Sequence, residues 1–166
     1  VWAEMPPMLE IAATPSIVYA AGESGRVIRG FRGVWERIDI NAGEAKITGA
    51  WALSDRSVAF TTDSGMVIDK VGDGWVSTRV GTGTTSLPLF GVWSSTVGAD
   101  TYAVGLGGSI YKRAKGAQNF VLEASPAPGD LYAIFGTAPD RIFAVGAHGM
   151  IVEWDGIEWK GVPSGT

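Results

Sequence analysis

The sequence predicts an all-β fold of four consecutive units, each a small antiparallel sheet of four strands. The first observation is a repeat, because an aromatic residue followed by a glycine-containing turn recurs about every 41 residues along the chain. The second is composition, since 24 glycines and only 18% charged residues favour short strands with tight turns over helices. The third is that turn-forming residues separate short apolar runs. Four-stranded units with this period are the blades of a β-propeller.

The repeat divides a single predicted domain, residues 1–166, into blades in chain order. The turn glycines that define the alignment are Gly25, Gly65, Gly108 and Gly149. The blades are predicted at residues 8–44, 45–85, 86–129 and 130–166. In the fourth copy the alternation of apolar and polar residues places strands near residues 131–135, 142–146, 150–154 and 158–162.

The beginning of the chain does not fit a whole number of repeats. Residues 1–7 carry the Trp-x-x-apolar-Pro pattern that also ends the fourth copy, so they are predicted as an extra outer strand. An outer strand without its blade is an open edge, and such edges favour pairing with another chain. Three arrangements remain open: a segment of a larger propeller, a ring of two copies, or a four-bladed ring with a spare strand. We expect the first or the second.

Aromatic residues recur at three places in each unit. Before the turn, the expected equivalents are Tyr19, Phe60, Tyr102 and Phe143; the other sets are Trp35, Trp75, Phe120 and Trp159, and Trp51, Trp93 and Phe135. Phe and Trp replace one another within these sets, which predicts that they pack between blades. Trp154 lies where the other copies carry unrelated residues. It is therefore the indole that we expect to be most exposed, and a candidate binding residue.

Charge and composition exclude several classes of function. A formal net charge of -4 argues against a nucleic-acid partner, because phosphate binding requires a basic face. No apolar run approaches the roughly 20 residues that a membrane-spanning helix requires. The absence of cysteine excludes disulfides, thiolate catalysis and cysteine-bound zinc. No cofactor and no metal site is predicted.

The fourth copy carries the clearest family resemblance. The segment DRIFAVGAHGMI at residues 140–151, followed by WDGIEW at 154–159, resembles the repeats of BNR-type propellers. It is similar in particular to photosystem II assembly and stability factors and to secreted repeat proteins of myxobacteria. The resemblance implies a secreted, periplasmic or cell-surface propeller, but not one function, because such repeats serve sialidases, assembly factors and lectin-like binders. The family's Asp-box is degenerate here, since Asp155 and Asp73 stand at different distances before Trp159 and Trp75.

The turns between the second and third strands are the first candidate binding sites. Their sequences differ from blade to blade while the strands repeat, so specificity is expected there. The candidate residues in these turns are Glu23, Ser24, Asp63, Ser64 and His148. His148 is the only histidine and occupies the turn position of Ser24 and Ser64. We therefore expect it to be a surface turn residue rather than an acid–base group or a metal ligand.

The arginines of the first blade are the second candidate. Arg26, Arg29 and Arg32 form the densest group of charges in the sequence. They are predicted either as a partner-binding patch or as a solvated sheet edge, the second being favoured. A sialidase-like site would instead need arginines from three different blades together with a Tyr nucleophile and two acids. The clustering of arginine in one blade does not supply that set.

These features predict a non-enzymatic scaffold for protein–protein interaction or assembly. Its partner would be another protein, or a second copy that completes the ring. The alternative is a secreted lectin-like propeller that binds a glycan, and a fragment of a sialidase-like glycoside hydrolase comes third. A lectin would present the same polar and aromatic residues in each blade. The turns do not match one another, and this favours the scaffold.

Overall fold

The computed structural model describes residues 7–81, 87–96 and 98–165 of the chain. These residues form sixteen strands in four antiparallel sheets of four strands each, and the strands of every sheet follow chain order. The predicted all-β fold of four-stranded blades is therefore confirmed. The predicted outer strand at residues 1–7 lies outside the described residues, apart from Pro7. No helix in the described part of the chain is long and apolar enough to cross a membrane.

Each blade is a meander that runs from an innermost to an outermost strand. The first contains β1 (Met8–Ala13), β2 (Ile17–Gly22), β3 (Val27–Phe31) and β4 (Val34–Ile38). The second contains β5 (Ile47–Ser54), β6 (Ser57–Thr62), β7 (Met66–Val71) and β8 (Gly74–Arg79). The third contains β9 (Leu89–Ser94), β10 (Thr101–Gly105), β11 (Ile110–Arg113) and β12 (Val121–Glu123). The fourth contains β13 (Leu131–Ala138), β14 (Arg141–Gly146), β15 (Ile151–Trp154) and β16 (Trp159–Val162).

The turn after the second strand of each blade explains the recurring glycine. Gly25, Gly65, Gly108 and Gly149 all have a positive φ, between 61° and 74°. A side chain is strained in this region of backbone conformation, so glycine is the residue that closes the turn at least cost. The glycine repeat in the sequence therefore arises because every blade needs a residue with positive φ at this turn.

Three apolar clusters lie between consecutive blades. The innermost strands contact one another in chain order, β1 with β5, β5 with β9 and β9 with β13. The cluster between the first two blades contains Tyr19 and Phe60, and the next contains Val92 and Tyr111. The third cluster is rich in aromatic residues and joins the third and fourth blades through Trp93, Tyr102, Trp154 and Trp159. Each blade is thus stabilised mainly by burial against its neighbours.

The predicted equivalence of Phe60 with the aromatic residue of the other blades is wrong. Ala59 pairs with Trp51 as Tyr102 pairs with Trp93, so Ala59 occupies the repeat position and Phe60 follows it. A shift of one residue in a strand moves a side chain to the opposite face of the sheet. Phe60 therefore points back to the first blade, where its ring centroid lies 6.0 Å from that of Tyr19.

Candidate functional site

The turn candidates of the first and second blades meet at one lysine. Lys46 lies in the connector between these blades, and its Nζ is 3.9 Å from a carboxylate oxygen of Glu23. The backbone N–H of the same lysine donates a hydrogen bond of 3.0 Å to Asp63. Glu23 and Asp63 therefore help to join two blades. Both remain exposed at the end of the sheets.

The other turn candidates are surface residues. Ser24 and His148 are exposed and have positive φ values of 54° and 57°, which follow from their position beside the turn glycine. Ser64 is also exposed, and its hydroxyl lies 3.0 Å from that of Thr62. His148 lies in a tight turn, as expected. Among the described residues no hydrogen bond or ion pair joins these three, which belong to the first, second and fourth blades.

The three arginines of the first blade do not form one patch. Arg29 Nε donates to Glu36 across β3 and β4 at 2.8 Å, so its charge is compensated within the sheet. The guanidinium of Arg32 lies 5.1 Å from the ring centroid of Phe31. Arg26 is half-buried at the start of β3. Their clustering in the sequence therefore does not become a single basic surface.

The expectation that Trp154 is exposed is wrong. Its indole is buried in the third-to-fourth blade cluster, with ring centroids 6.4 Å from Tyr102 and 5.7 Å from Trp159. Lys112 Nζ lies 5.5 Å from the rings of both Trp154 and Tyr102. Desolvation acts to lower the pKa of Lys112, but hydrogen bonds to Asp100 and Tyr102 outweigh it and raise that pKa above its usual value. Lys112 thus stays charged above the rings.

A groove lies between the second and third blades. Its volume is about 930 Å³, which lies within the range of about 300–1,000 Å³ usual for binding sites. One wall comes from β7 and β8, and the other from β11 and the following loop at residues 114–119. Four cations and a single carboxylate are among the described lining residues: Arg56, Lys70, Arg79, Arg113 and Asp69. Strand pairing places the side chains of Lys70 and Arg79 on the opposite face of the second blade, beside Trp75 and Met66, so Arg56 and Arg113 are the cations on the groove side.

The Asp69–Arg113 pair crosses this groove and joins its two walls. Arg113 Nη1 and Nη2 donate to the two oxygens of Asp69 at 2.7 and 2.8 Å, a bidentate arrangement. The guanidinium also lies 4.7 Å from the ring centroid of Phe120. Neither Asp69 nor Arg113 was among the candidate residues predicted from the sequence. The available signal was a pair of opposite charges about one repeat apart in strands that are otherwise mostly apolar.

Asp69→Asn is expected to lower the free energy of unfolding by about 2 kcal/mol, because it leaves the guanidinium of Arg113 with a weaker acceptor. The two side chains are only 17% and 18% exposed. Glu36→Gln, in the exposed Arg29–Glu36 pair, is the matched control and should cost less than about 0.5 kcal/mol. Urea-induced unfolding measures both losses. A similar loss in the two variants would contradict a special role for the groove pair.

The first blade has an apolar face that no described blade covers. This first-blade open face comprises Ile11, Val18, Ala20, Ile28 and Trp35, which share one side of the sheet by their strand pairing. The same repeat positions in the fourth blade are buried against the third. Ile11 is 70% exposed where Ile134 is 8% exposed, and Trp35 is 46% exposed where Trp159 is 6% exposed. The difference arises because no blade among the described residues precedes the first.

The fourth blade has the opposite face uncovered. This fourth-blade open face comprises Phe135, Phe143, Val145 and Ile151. Val145 is 44% exposed, whereas its equivalent in the third blade, Val104, is fully buried against the fourth blade. The two open faces are thus the two halves of the contact that joins consecutive blades inside the chain.

Comparisons with known proteins agree on the fold. No protein-family profile and no curated protein matches the sequence. Among solved structures, YCF48 bound to D1 peptide is 12% identical, with a TM-score of 0.69 over 93% of this chain and 54% of that one. Streptogramin B lyase is 12% identical, with a TM-score of 0.80 over 96% and 56% of the two chains. The WD40 β-propeller domain of Doa1 is 6% identical, with a TM-score of 0.76 over 92% and 52%.

These similarities show that the chain has a β-propeller fold. It spans about half the length of each of these three chains. At such low identities the likeness extends to the fold alone. The resemblance to BNR-type repeats stays a prediction.

Proposed function

We propose that this chain is a non-enzymatic scaffold for protein interaction, and that the groove between its second and third blades binds an extended acidic segment of a partner. The observation that carries the proposal is the local charge of this groove. In a protein with a net charge of -4, the cations on the groove side are Arg56, which is exposed, and Arg113, which is paired with the single lining carboxylate, Asp69. A basic groove attracts acidic segments and disfavours basic ones.

The geometry of the groove suits a chain segment better than a small enclosed ligand. Small residues, among them Ser57, Ala59 and Ser94, line the groove together with the Asp69–Arg113 pair. Asp69 already satisfies Arg113, so the cation that we expect to meet a partner carboxylate is Arg56, which is exposed and lines the groove from the turn between β5 and β6. An Asp or Glu side chain on an extended segment would accept hydrogen bonds from its guanidinium. The structure of YCF48 bound to D1 peptide, a propeller with a peptide ligand, supports this kind of function.

Binding of a fluorescein-labelled peptide rich in Asp and Glu tests the proposal by fluorescence anisotropy. We expect saturable binding that weakens as salt is added, because exposed charges are screened. Arg56→Glu should weaken binding about tenfold, or about 1.4 kcal/mol. Arg32→Glu is the matched control, since both arginines are exposed but only Arg56 lines the groove.

The proposed function fails if the acidic peptide does not bind. It also fails if both arginine variants weaken binding equally, or if a Lys-rich peptide of the same length binds as well.

A further inference from the structure

We propose that two copies of this chain close one ring, in which the first-blade open face of each copy packs against the fourth-blade open face of the other. This inference goes beyond the groove and uses none of its residues. It starts from a contact that the chain already makes. Tyr19 packs edge-on against Trp75 of the next blade, with centroids 6.3 Å apart and planes at 87°. Tyr102 and Trp159 repeat this contact at 6.0 Å and 77°.

Between the second and third blades the same two positions hold Ala59 and Phe120. The other member of each position lies on an open face. Phe143 occupies the position of Tyr102, and Trp35 that of Trp159. Edge-to-face packing of this kind contributes about 0.5–1.5 kcal/mol beyond the area that it buries. Phe143 of one copy and Trp35 of the other would form the same contact. Each of these two aromatic side chains would then pack against the same type of neighbour as its equivalents inside the chain.

Other residues of the two faces are complementary as well. Ile11 and Val145 stand at positions that are buried in the contact between the third and fourth blades. An unrelated partner would have to reproduce both halves of a blade contact. A second copy of this chain provides both without any change.

The length of the chain fits two copies in one propeller. One chain spans 54%, 56% and 52% of the three propeller chains compared above, so two chains match the length of one such protein. The contact joins two different faces, and such a head-to-tail contact forms a closed ring when the rotation closes after two copies. Each ring then contains the contact twice.

Light scattering at several protein concentrations measures the first consequence. We expect a mass twice that of the chain, with dissociation to one copy only on dilution. A mass of one copy at every concentration would overturn the proposal. Masses that grow beyond two copies would overturn the closed ring, because they indicate a contact that continues into a filament.

Two charged variants test which faces meet. Ile11→Asp blocks the first-blade open face and Val145→Asp the fourth-blade open face, and each should raise the dissociation constant about 30-fold or more. An equimolar mixture of the two variants retains one intact pair of faces, so it should recover an assembly of two copies. In the alternative arrangement, a face packs against the same face of the second copy. One variant would then associate normally and mixing the two variants would change nothing, which would overturn the proposal.

Ile157→Asp is the matched control, because Ile157 is 84% exposed but lies in the turn between β15 and β16, outside both faces. Its mass should equal that of the unmodified chain. Circular dichroism checks that all three variants keep their strands. Loss of association in the Ile157→Asp variant would also count against the proposal, since the effect would then not depend on the faces. Peptide binding in the groove is measured separately, so the two proposals can fail independently.

Discussion

Trp159→Ala is expected to lower the free energy of unfolding by about 3 kcal/mol, whereas Trp35→Ala should cost about 1 kcal/mol. The two residues are of the same type and occupy the same repeat position. Trp159 is packed against Tyr102 and Trp154 and is 6% exposed, while Trp35 is 46% exposed. The cost of removing an indole depends on the contacts and the cavity left behind, so the buried residue loses more.

For Trp159→Ala we expect a loss in the free energy of unfolding at the lower end of the range for large core residues. Its buried Nε1 has no hydrogen-bond partner among the described residues, so the substitution also removes a polar group that is costly to bury. Trp159→Phe should therefore be tolerated better than Trp159→Ala. Phe120 already stands at the start of the last strand of the third blade and is 8% exposed.

Urea-induced unfolding, followed by circular dichroism, measures these losses. Each tryptophan change is best made in a Val145→Asp background, because a second copy would otherwise cover Trp35 and raise its cost. Val145 lies on the face of the fourth blade that does not contain Trp159. Equal losses for the two alanine variants would show that the first-blade face is not open in solution.

Gly108→Ala is the second change with a large expected effect. Gly108 has a φ of 74°, and a Cβ added there would lie 2.2 Å from the carbonyl oxygen of Ala127. Left-handed backbone at a non-glycine residue costs about 1–2 kcal/mol, and a collision with backbone atoms adds to it. Because the obstructing atom is main chain, relief requires movement of the connector between the third and fourth blades. We expect a total loss of about 3 kcal/mol or more.

Gly107→Ala is the matched control for this experiment. Gly107 precedes Gly108 in the same turn and has a φ of 65°, but a Cβ at this position meets no atom within 4 Å. Its cost should therefore be that of the backbone conformation alone, about 1 kcal/mol. Thermal unfolding of both variants against the unmodified chain gives the difference. If the two variants lose the same stability, the close approach to Ala127 does not constrain the fold.

The sequence predicted the features that depend on local backbone chemistry. The glycines of the four turns could be recognised because a positive φ excludes most other residues, and this requirement recurs in each blade. Their spacing led to the number of blades and to the packing role of Trp93 and Trp159, both of which are buried. Alternation in the fourth unit placed its strands to within a few residues.

Other features depended on which surfaces meet, and here the sequence was insufficient. Phe60 and Ala59 are neighbours in one strand, and only the strand pairing shows which of them faces the first blade. Trp154 was expected to be exposed because its repeat position is variable, yet that position faces the preceding blade. Asp69 and Arg113 come together because two blades pack side by side, although 44 positions separate them in the chain.

The sequence by itself therefore determined the repeated unit, its four turns and the all-β architecture, because these follow from φ, turn chemistry and alternation within short segments. Tertiary structure alone decided which equivalent residues are covered. Trp35 and Trp159 are the same residue at the same repeat position, yet Trp159 is covered by the third blade and no described blade covers Trp35. Burial is a property of neighbouring surfaces, which a local pattern does not contain. The groove and the two open faces arise at that level, and our functional proposals rest on them.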